Sequence, residues 1–305
     1  MIRSVFITGA NAGLGKESAR QLALRANIDK IYLGCRDPQK GQIAQAELEQ
    51  LTGRNIFEVI TIDVSNLDSV ANAVNSLPQS VDALVMNAGG TGGKHFHNLN
   101  SSGVTEIFAV NLLGHSVLAE SLLTSGKLNH VAVYAGSEAA RGVEEMGMKR
   151  PTFDTSSVSE FVGLARGSYL SSVNDPTVAY GPIKYMGALW MSAMARRYPQ
   201  IRFVTMSPGA TTGTQGFDSL PLLKRVMMQS AMKVMLLLGK AHQVETGASR
   251  YMDAVFNSNY KSGLFYASRK GLTGELADQA TLFADIANQQ YQENAYQAIK
   301  QLAPM

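Results

Sequence analysis

Short apolar runs rich in β-branched residues recur along this chain, and longer stretches with apolar residues at helical spacing separate them. Val5-Phe6-Ile7 opens the series, residues 16–25 follow with a helical pattern, and Lys30-Ile31-Tyr32-Leu33 reads as a second strand. Helix 38–51, strand 57–63, helix 67–77 and strand 82–86 continue the alternation. A long helix over 104–123 leads to a strand at 129–134, a helix from 175 to about 197 leads to a strand at 202–206, and 263–266 is the last strand. Alternation of this kind predicts an α/β chain: a single doubly wound domain over 1–305 around a seven-stranded parallel sheet. Two stretches break the rhythm, an insertion at about 138–175 and a lid-like segment at about 211–244. Loops this long in a compact fold are usually functional or covering elements.

Composition narrows the function classes. With 305 residues, 45% of them hydrophobic, the chain can bury a continuous core. A net charge of +3 and the absence of any Lys/Arg run argue against a nucleic-acid partner. Cys35 is the only cysteine, which excludes an intrachain disulfide and fits a reducing, cytoplasmic setting. The N-terminus enters a strand without a signal-peptide pattern, and no transmembrane segment is expected. The most lipophilic run, 226–238, is short and interrupted by Gln229 and Lys233. His95 and His97 offer two ligands with no Cys or acidic partner nearby, so no metal site is expected.

Gly9, Gly13 and Gly15 lie between a predicted strand and a predicted helix. There, glycines permit a tight turn, and the free N–H groups of the helix start can receive a pyrophosphate. The second strand ends in Gly34-Cys35-Arg36-Asp37. A guanidinium at Arg36 suits a ribose 2′-phosphate and points to NADP(H), while Asp37 keeps NAD open. Tyr180 and Lys184 are four residues apart, a spacing that stacks a phenol and an ammonium on one helix face. Pro182 lies between them; either the helix starts early and Pro182 sits inside it, or it starts near Gly181 with Pro182 in its first turn.

Taken together, these residues resemble the short-chain dehydrogenase/reductase family over nearly the whole chain. Thr8-Gly9-Ala10-Asn11-Ala12-Gly13-Leu14-Gly15 is similar to its cofactor turn, Asp63-Val64 to its adenine-binding position, and Asn87-Ala88-Gly89 to its motif after strand four. Asn111, Ser137, Tyr180 and Lys184 fall where the family keeps its catalytic tetrad. Pro208-Gly209, followed by Thr211, matches its turn against the nicotinamide. Within the family the turn and Gly34-Cys35-Arg36-Asp37 resemble the retinol dehydrogenase and protochlorophyllide reductase branch. Ile183 stands where the family often has Ser, and the lid contains no cysteine, which counts against light-driven pigment chemistry.

The resemblance implies hydride transfer between nicotinamide and a substrate carbon. Tyr180 would be the acid or base, Lys184 would lower its pKa and hold the nicotinamide ribose, Ser137 would bond the substrate oxygen, and Asn111 would keep a water in a proton path to Lys184. An ammonium at ~4 Å offers about 4 kcal/mol at an effective dielectric of ~20, enough for the ~3-unit drop that a tyrosine acting near neutrality requires. The substrate pocket would lie against 211–244, where Phe217, Leu220, Leu222, Leu223, Met227, Met228, Met232, Met235, Leu236, Leu237 and Leu238 suit a lipophilic small molecule. An ordinary core helix, or a membrane-surface face with Lys224, Arg225, Lys233 and Lys240, are the other readings of that stretch. Reduction of a conjugated C=C bond, or a catalytically idle NADPH-binding role, remain alternatives. Family members dimerise through helices that here span 104–123 and 175–197. The insertion, with Arg141, Glu144, Glu145, Lys149, Arg150, Asp154 and Glu160 taken as solvated, would lie across that face and favour a monomer over a homodimer.

Overall fold

The structure, a computed structural model, describes residues 1–91, 95–144, 147–170, 176–213, 230 and 234–303. Its sheet runs in the order β3-β2-β1-β4-β5-β6-β7-β8. The strands are β1 (Ser4–Thr8), β2 (Lys30–Cys35), β3 (Phe57–Thr61), β4 (Val81–Met86), β5 (Leu128–Ala135), β6 (Arg202–Met206), β7 (Phe265–Ser268) and β8 (Leu276–Asp278). The first seven pair in parallel, as the alternation predicts. The eighth is an addition to the expected seven: it returns antiparallel to β7, with Ala267 opposite Ala277. The order reverses between β1 and β4, and that switch point is where an open α/β sheet leaves a crevice beyond its strand ends.

Parallel strands are covered on both faces, so their sequences read as unbroken apolar runs. Successive residues still alternate between two layers. Phe6, Leu84, Ala132 and Tyr134 enter one core, and Val5, Ile7, Val85 and Val133 enter the other. Helices α1 (Gly13–Ala23), α2 (Pro38–Thr52) and α3 (Leu67–Ser76) follow the first three strands. Asp37 caps α2 by accepting from Gln39 N (2.9 Å) and Lys40 N (3.2 Å), and Asn66 caps α3.

The helix predicted over 104–123 is not uniform. A single turn, α4 (Glu106–Phe108), passes into a π-helical turn, Ala109–Leu113, and then into α5 (Gly114–Thr124). The span Glu106–Thr124 is long and apolar enough to cross a membrane, but 78% of it is buried in this fold, as in a core helix.

The insertion contains α6 (Val158–Ala165) and is less solvated than its charges suggest. Phe153 stacks on Tyr185 at 5.6 Å, Tyr185 stacks on Phe283 at 5.3 Å, and the Arg150 guanidinium lies over Phe283 at 4.7 Å. Arg141 reaches Ser268 O (2.8 Å), Gly271 O (3.2 Å) and the Gln279 side chain, so it fastens the insertion to the sheet edge. Glu145 lies outside the described residues.

Helix α7 (Pro176–Arg197) begins six residues before Pro182, which settles the open question: the proline sits inside the helix. Two of its glycines mark close approaches. A Cβ on Gly181 would stand 2.7 Å from Ala139 O, and one on Gly187 would stand 2.5 Å from the Tyr134 ring. Two further helices complete the chain, α8 (Val244–Phe256) and α9 (Gln289–Leu302). Helix α9 packs on α7 and α6, with Arg197 bridging Glu293 (2.6 Å) and Lys300 bridging Glu120 (3.4 Å). Part of the α7 face assigned above to a dimer contact is therefore covered from within the chain.

Gly187→Ala tests the closeness of that packing. An alanine inside a helix normally stabilises by about 1 kcal/mol over glycine. Here the clash with Tyr134 reverses the sign, and a net loss of about 1–3 kcal/mol is expected in urea denaturation. A stabilised variant would show that α7 can move away from β5 at no cost.

Candidate active site

The crevice at the switch point is a cleft of about 650 Å³. Its floor is the first turn of the fold. Gly9 (φ +67°) and Gly13 (φ +52°) hold backbone conformations that other residues rarely adopt, and a Cβ on Gly15 would overlap Gly9 O. Thr8 fastens this turn to its neighbour: its hydroxyl accepts from Asn87 N and Ala88 N, each at 3.0 Å. Asn87 returns its amide to Thr8 O at 2.9 Å. Helix α1 starts at Gly13 with no side-chain cap and no acidic residue in its first turn. Its free N–H groups face the cleft as an anion seat, and a phosphate-bearing cofactor fits that cradle.

One end of the cleft is polar and carries charges of both signs. Arg36, Asp37, Lys40, Asp63 and Val64 line it. Asp63 accepts from Ser65 N (2.9 Å) and Ser65 Oγ (2.8 Å). Arg36 and Lys40 have no side-chain hydrogen bond or ion pair among the described residues. Lys40 was not singled out from the sequence; one turn into α2, it reads as an ordinary surface lysine. Asn11, Leu14, Asn87, Ala88 and Gly89 line the middle of the cleft beside Gly9 and Gly13.

Tyr180, Lys184 and Pro208 line the other end. Ser137 follows β5 and is hydrogen-bonded to the Tyr180 phenol. Its hydroxyl also accepts from Ala139 N at 3.2 Å, which fixes the turn that Gly181 admits so closely. The Lys184 ammonium donates to Ala135 O at 2.9 Å and lies 4.8 Å from the Tyr134 ring centroid and 5.5 Å from that of Tyr180. Asn111 sits in the π-helical turn. Its amide donates to Gly90 O (2.7 Å) and Ile107 O (2.8 Å) and accepts from Gly90 N (3.1 Å), so it clamps the wall beside Gly89. Its backbone carbonyl accepts the Tyr134 hydroxyl at 2.7 Å. Gly209 (φ +74°) and Thr211 shape the loop after β6; the Thr211 hydroxyl is turned to Gly209 O (3.1 Å) rather than to the cleft.

Below Ser137, Glu138 is 2% exposed and accepts from Ser207 Oγ (2.6 Å) and Ser268 N (3.0 Å), with the Arg250 guanidinium 3.8 Å away. This buried carboxylate joins the Ser137 turn, the Pro208 loop and β7. Of the expected lid, 214–229 and 231–233 lie outside the described residues, and with them Phe217, Leu220, Leu222, Leu223, Met227, Met228, Met232, Lys224, Arg225 and Lys233. Leu237 and Leu238 are exposed. Among the described residues, no three of His, Cys, Asp or Glu come together as metal ligands would.

The electrostatics differ from the expectation that Lys184 alone brings Tyr180 toward neutrality. Burial pushes Tyr180 up to about 12, against the Ser137 hydrogen bond that lowers it, and Glu138 adds to the rise. Burial also lowers Lys184 to about 7. A low-dielectric site discharges both partners, and near pH 8 the neutral forms of both prevail.

The comparisons with known proteins agree with this geometry. A family model described as short chain dehydrogenase matches residues 3–141. Over those residues, just under half of its length, the chain is similar to the short-chain dehydrogenase/reductase family. It is 28% identical over 211 residues to dehydrogenase/reductase SDR family member 12 of Bos taurus, a match over 68% of this chain and 60% of that protein. It is 34% identical over 122 residues to retinol dehydrogenase 11 of Homo sapiens, over 39% of this chain and 37% of that one. The match thus spans less than two thirds of these relatives. An NADPH-bound carbonyl reductase from chicken fatty liver shares the fold, with a TM-score of 0.59 and 18% identity over 90% of this chain and 99% of that one. The family is one of oxidoreductases that bind a nicotinamide dinucleotide.

The pKa shift of Lys184 has a consequence for stability. Between pH 7 and its ordinary 10.5, the unfolded chain holds the proton and the folded chain does not, so native stability rises with pH across that window. Below it, the folded chain carries a buried charge at full cost. Lys184→Met should therefore be more stable than the native chain at pH 7, by about 2–3 kcal/mol after allowing for the lost bond to Ala135 O. The gap should narrow as the pH is raised toward 10. Melting curves across that range check it; a constant gap would mean that the shift is not what the lysine costs.

Proposed function

We propose that this chain is an NADP(H)-dependent oxidoreductase that transfers a hydride between nicotinamide and a lipophilic carbonyl or alcohol. The observation that carries the reading is one cleft with Tyr180 and Lys184 at one end, Ser137 hydrogen-bonded to Tyr180 beside it, and at the other end two cations, Arg36 and Lys40, that are unpaired among the described residues. The residues that would hold the cofactor are Gly9, Asn11, Gly13 and Leu14 at the phosphates, Asp63 and Val64 at the adenine, Arg36 and Lys40 at a 2′-phosphate, and Lys184 at the nicotinamide ribose. Thr8, Gly15, Asn87, Ala88, Gly89, Pro208, Gly209 and Thr211 shape the walls around them.

A nicotinamide held in this cleft would supply or accept a hydride and, when oxidised, would bring a positive charge to the site. In carbonyl reduction, the Tyr180 hydroxyl gives its proton to the substrate oxygen while Ser137 bonds that same oxygen. In the reverse direction the phenolate takes the proton back, and for that the raised pKa of Tyr180 must fall on cofactor binding. Lys184 bonds the ribose and lends its charge as the site fills. Asn111 holds the Gly89–Gly90 wall in place.

The class of substrate is supported by the likeness to retinol dehydrogenase 11 and by the apolar residues of the 211–244 segment. A screen of lipophilic aldehydes and ketones, followed by loss of NADPH absorbance, tests it. Tyr180→Phe should bind NADPH as the native chain does and lose most turnover, roughly 100-fold or more. Substantial turnover in that variant would place the proton donor elsewhere.

Cofactor choice has its own test. NADPH should bind more tightly than NADH, because Arg36 and Lys40 each offer a charge-assisted bond to a 2′-phosphate. Arg36→Ala and Lys40→Ala should each remove about tenfold of the preference, and the double variant most of it. Equal affinities in the native chain would defeat the assignment.

A further inference from the structure

Tyr251 lies in α8, a different helix from the one that carries Tyr180, and lines the same cleft. It lines the reacting end of the cleft, with Ala135, Gly136 and Pro208 around it, and is only 1% exposed. Its hydroxyl makes no hydrogen bond among the described residues. Buried hydroxyls seldom go without a partner. The enclosed side-chain polar atoms without one are in Ser18, Tyr32, His115, Glu120, Trp190 and Thr205, and Tyr251 is not in that set. The sliver of surface that Tyr251 retains therefore includes its hydroxyl, and the surface it borders is the cleft. Burial keeps this phenol protonated, with Tyr180 and Glu138 close enough to add to the effect. It is a neutral group able both to donate and to accept.

We propose that Tyr251 is a cofactor-binding residue whose hydroxyl bonds the carboxamide of the nicotinamide. This rests on the cofactor reading given above. A carboxamide is a neutral planar group with a donor and an acceptor on one carbon, and it orients the ring to which it is attached. A neutral hydroxyl that can both donate and accept matches it; a charged group would call for an opposite charge, and an apolar substrate would not need a hydroxyl. Of the unpartnered polar side chains described, Tyr251 combines near-complete burial with a place on the cleft wall beside Tyr180 and Pro208. Nothing in the sequence singles it out, because a tyrosine among the apolar positions of a helix reads as core.

The test compares two ligands. NADPH carries the nicotinamide; 2′,5′-ADP carries the adenosine, the 2′-phosphate and one further phosphate but no nicotinamide. Both are titrated by calorimetry into the native chain and into Tyr251→Phe, which keeps the ring in the core and deletes only the oxygen. NADPH should bind about 3–10-fold more weakly to the variant, the value of one hydrogen bond, while 2′,5′-ADP should bind within twofold of native. Equal weakening of both ligands would mean a general change in the cleft and overturn the proposal. So would unchanged binding of NADPH, or a rise in substrate KM with NADPH affinity intact. If the native chain itself bound neither ligand, the cofactor reading would fall with this one; native binding of both with an indifferent variant would remove Tyr251 alone.

Discussion

Helix α7 approaches the end of β5 so closely that two of its positions admit no side chain. Gly181 meets Ala139 O, and Gly187 meets the Tyr134 ring. From that contact the rest of the site follows. The turn after β5 is pressed against Tyr180, which lets Ser137 reach the phenol. Tyr134, close against Gly187, extends its hydroxyl to the Asn111 carbonyl and offers its ring face to the Lys184 ammonium. One strand residue thus touches two of the four expected catalytic groups, and the strand's last carbonyl, Ala135 O, holds Lys184 directly. A wider gap between α7 and β5 would loosen all of these contacts.

The same closeness explains why the ionisation states depart from the simple pairing of a phenol with an ammonium. Drawing both groups into a low-dielectric space penalises each charge before the pair can form. The same environment reaches a neighbour: His115, fully buried, is pushed down to about 3 by burial and then by the Lys184 charge. Its ring nitrogen bonds Thr8 Oγ1 at 3.0 Å, so the dry region extends beneath the glycine turn. A site of this kind is poised by what enters it. Charge brought in with a ligand changes the protonation of Tyr180 and Lys184 far more than it would in a hydrated cleft.

Much of this was legible in the sequence, and the exceptions share physical causes. The seven parallel strands could be read because each is an apolar run long enough to stand out. β8 could not: Leu276–Asp278 has three residues and one large apolar side chain. The π-helical turn at Asn111 leaves no mark in a periodicity, since one extra residue in a turn shifts an apolar pattern less than the pattern's own irregularity. Pro182 was ambiguous because an interior proline costs a helix a hydrogen bond and some clash without forbidding it, and only the helix start at Pro176 decides the matter. Arg141 read as a solvated insertion charge, but charged residues report hydration only on average; this one spends its guanidinium on carbonyls of the sheet edge. The sequence singles out neither Tyr134 nor Tyr251: both are buried among apolar neighbours, and their hydroxyls acquire meaning only from residues distant in the chain.

Asp37 shows how a local rule can carry information about a distant choice. A carboxylate near the end of the second strand suits a ribose 2′-hydroxyl, and in sequence Asp37 is close enough to serve. In the fold, one of its oxygens caps α2 through Gln39 N and Lys40 N. An N-cap holds its side chain against the first turn of its own helix, which limits how far that oxygen can turn to a ligand. The cap also orders the turn that carries Lys40 and brings it within one helical turn of Arg36 on the same cleft wall. The residue that argues for NAD in the linear sequence thus orders, through its bonds to the backbone, the turn that carries one of the two cations of the proposed 2′-phosphate site.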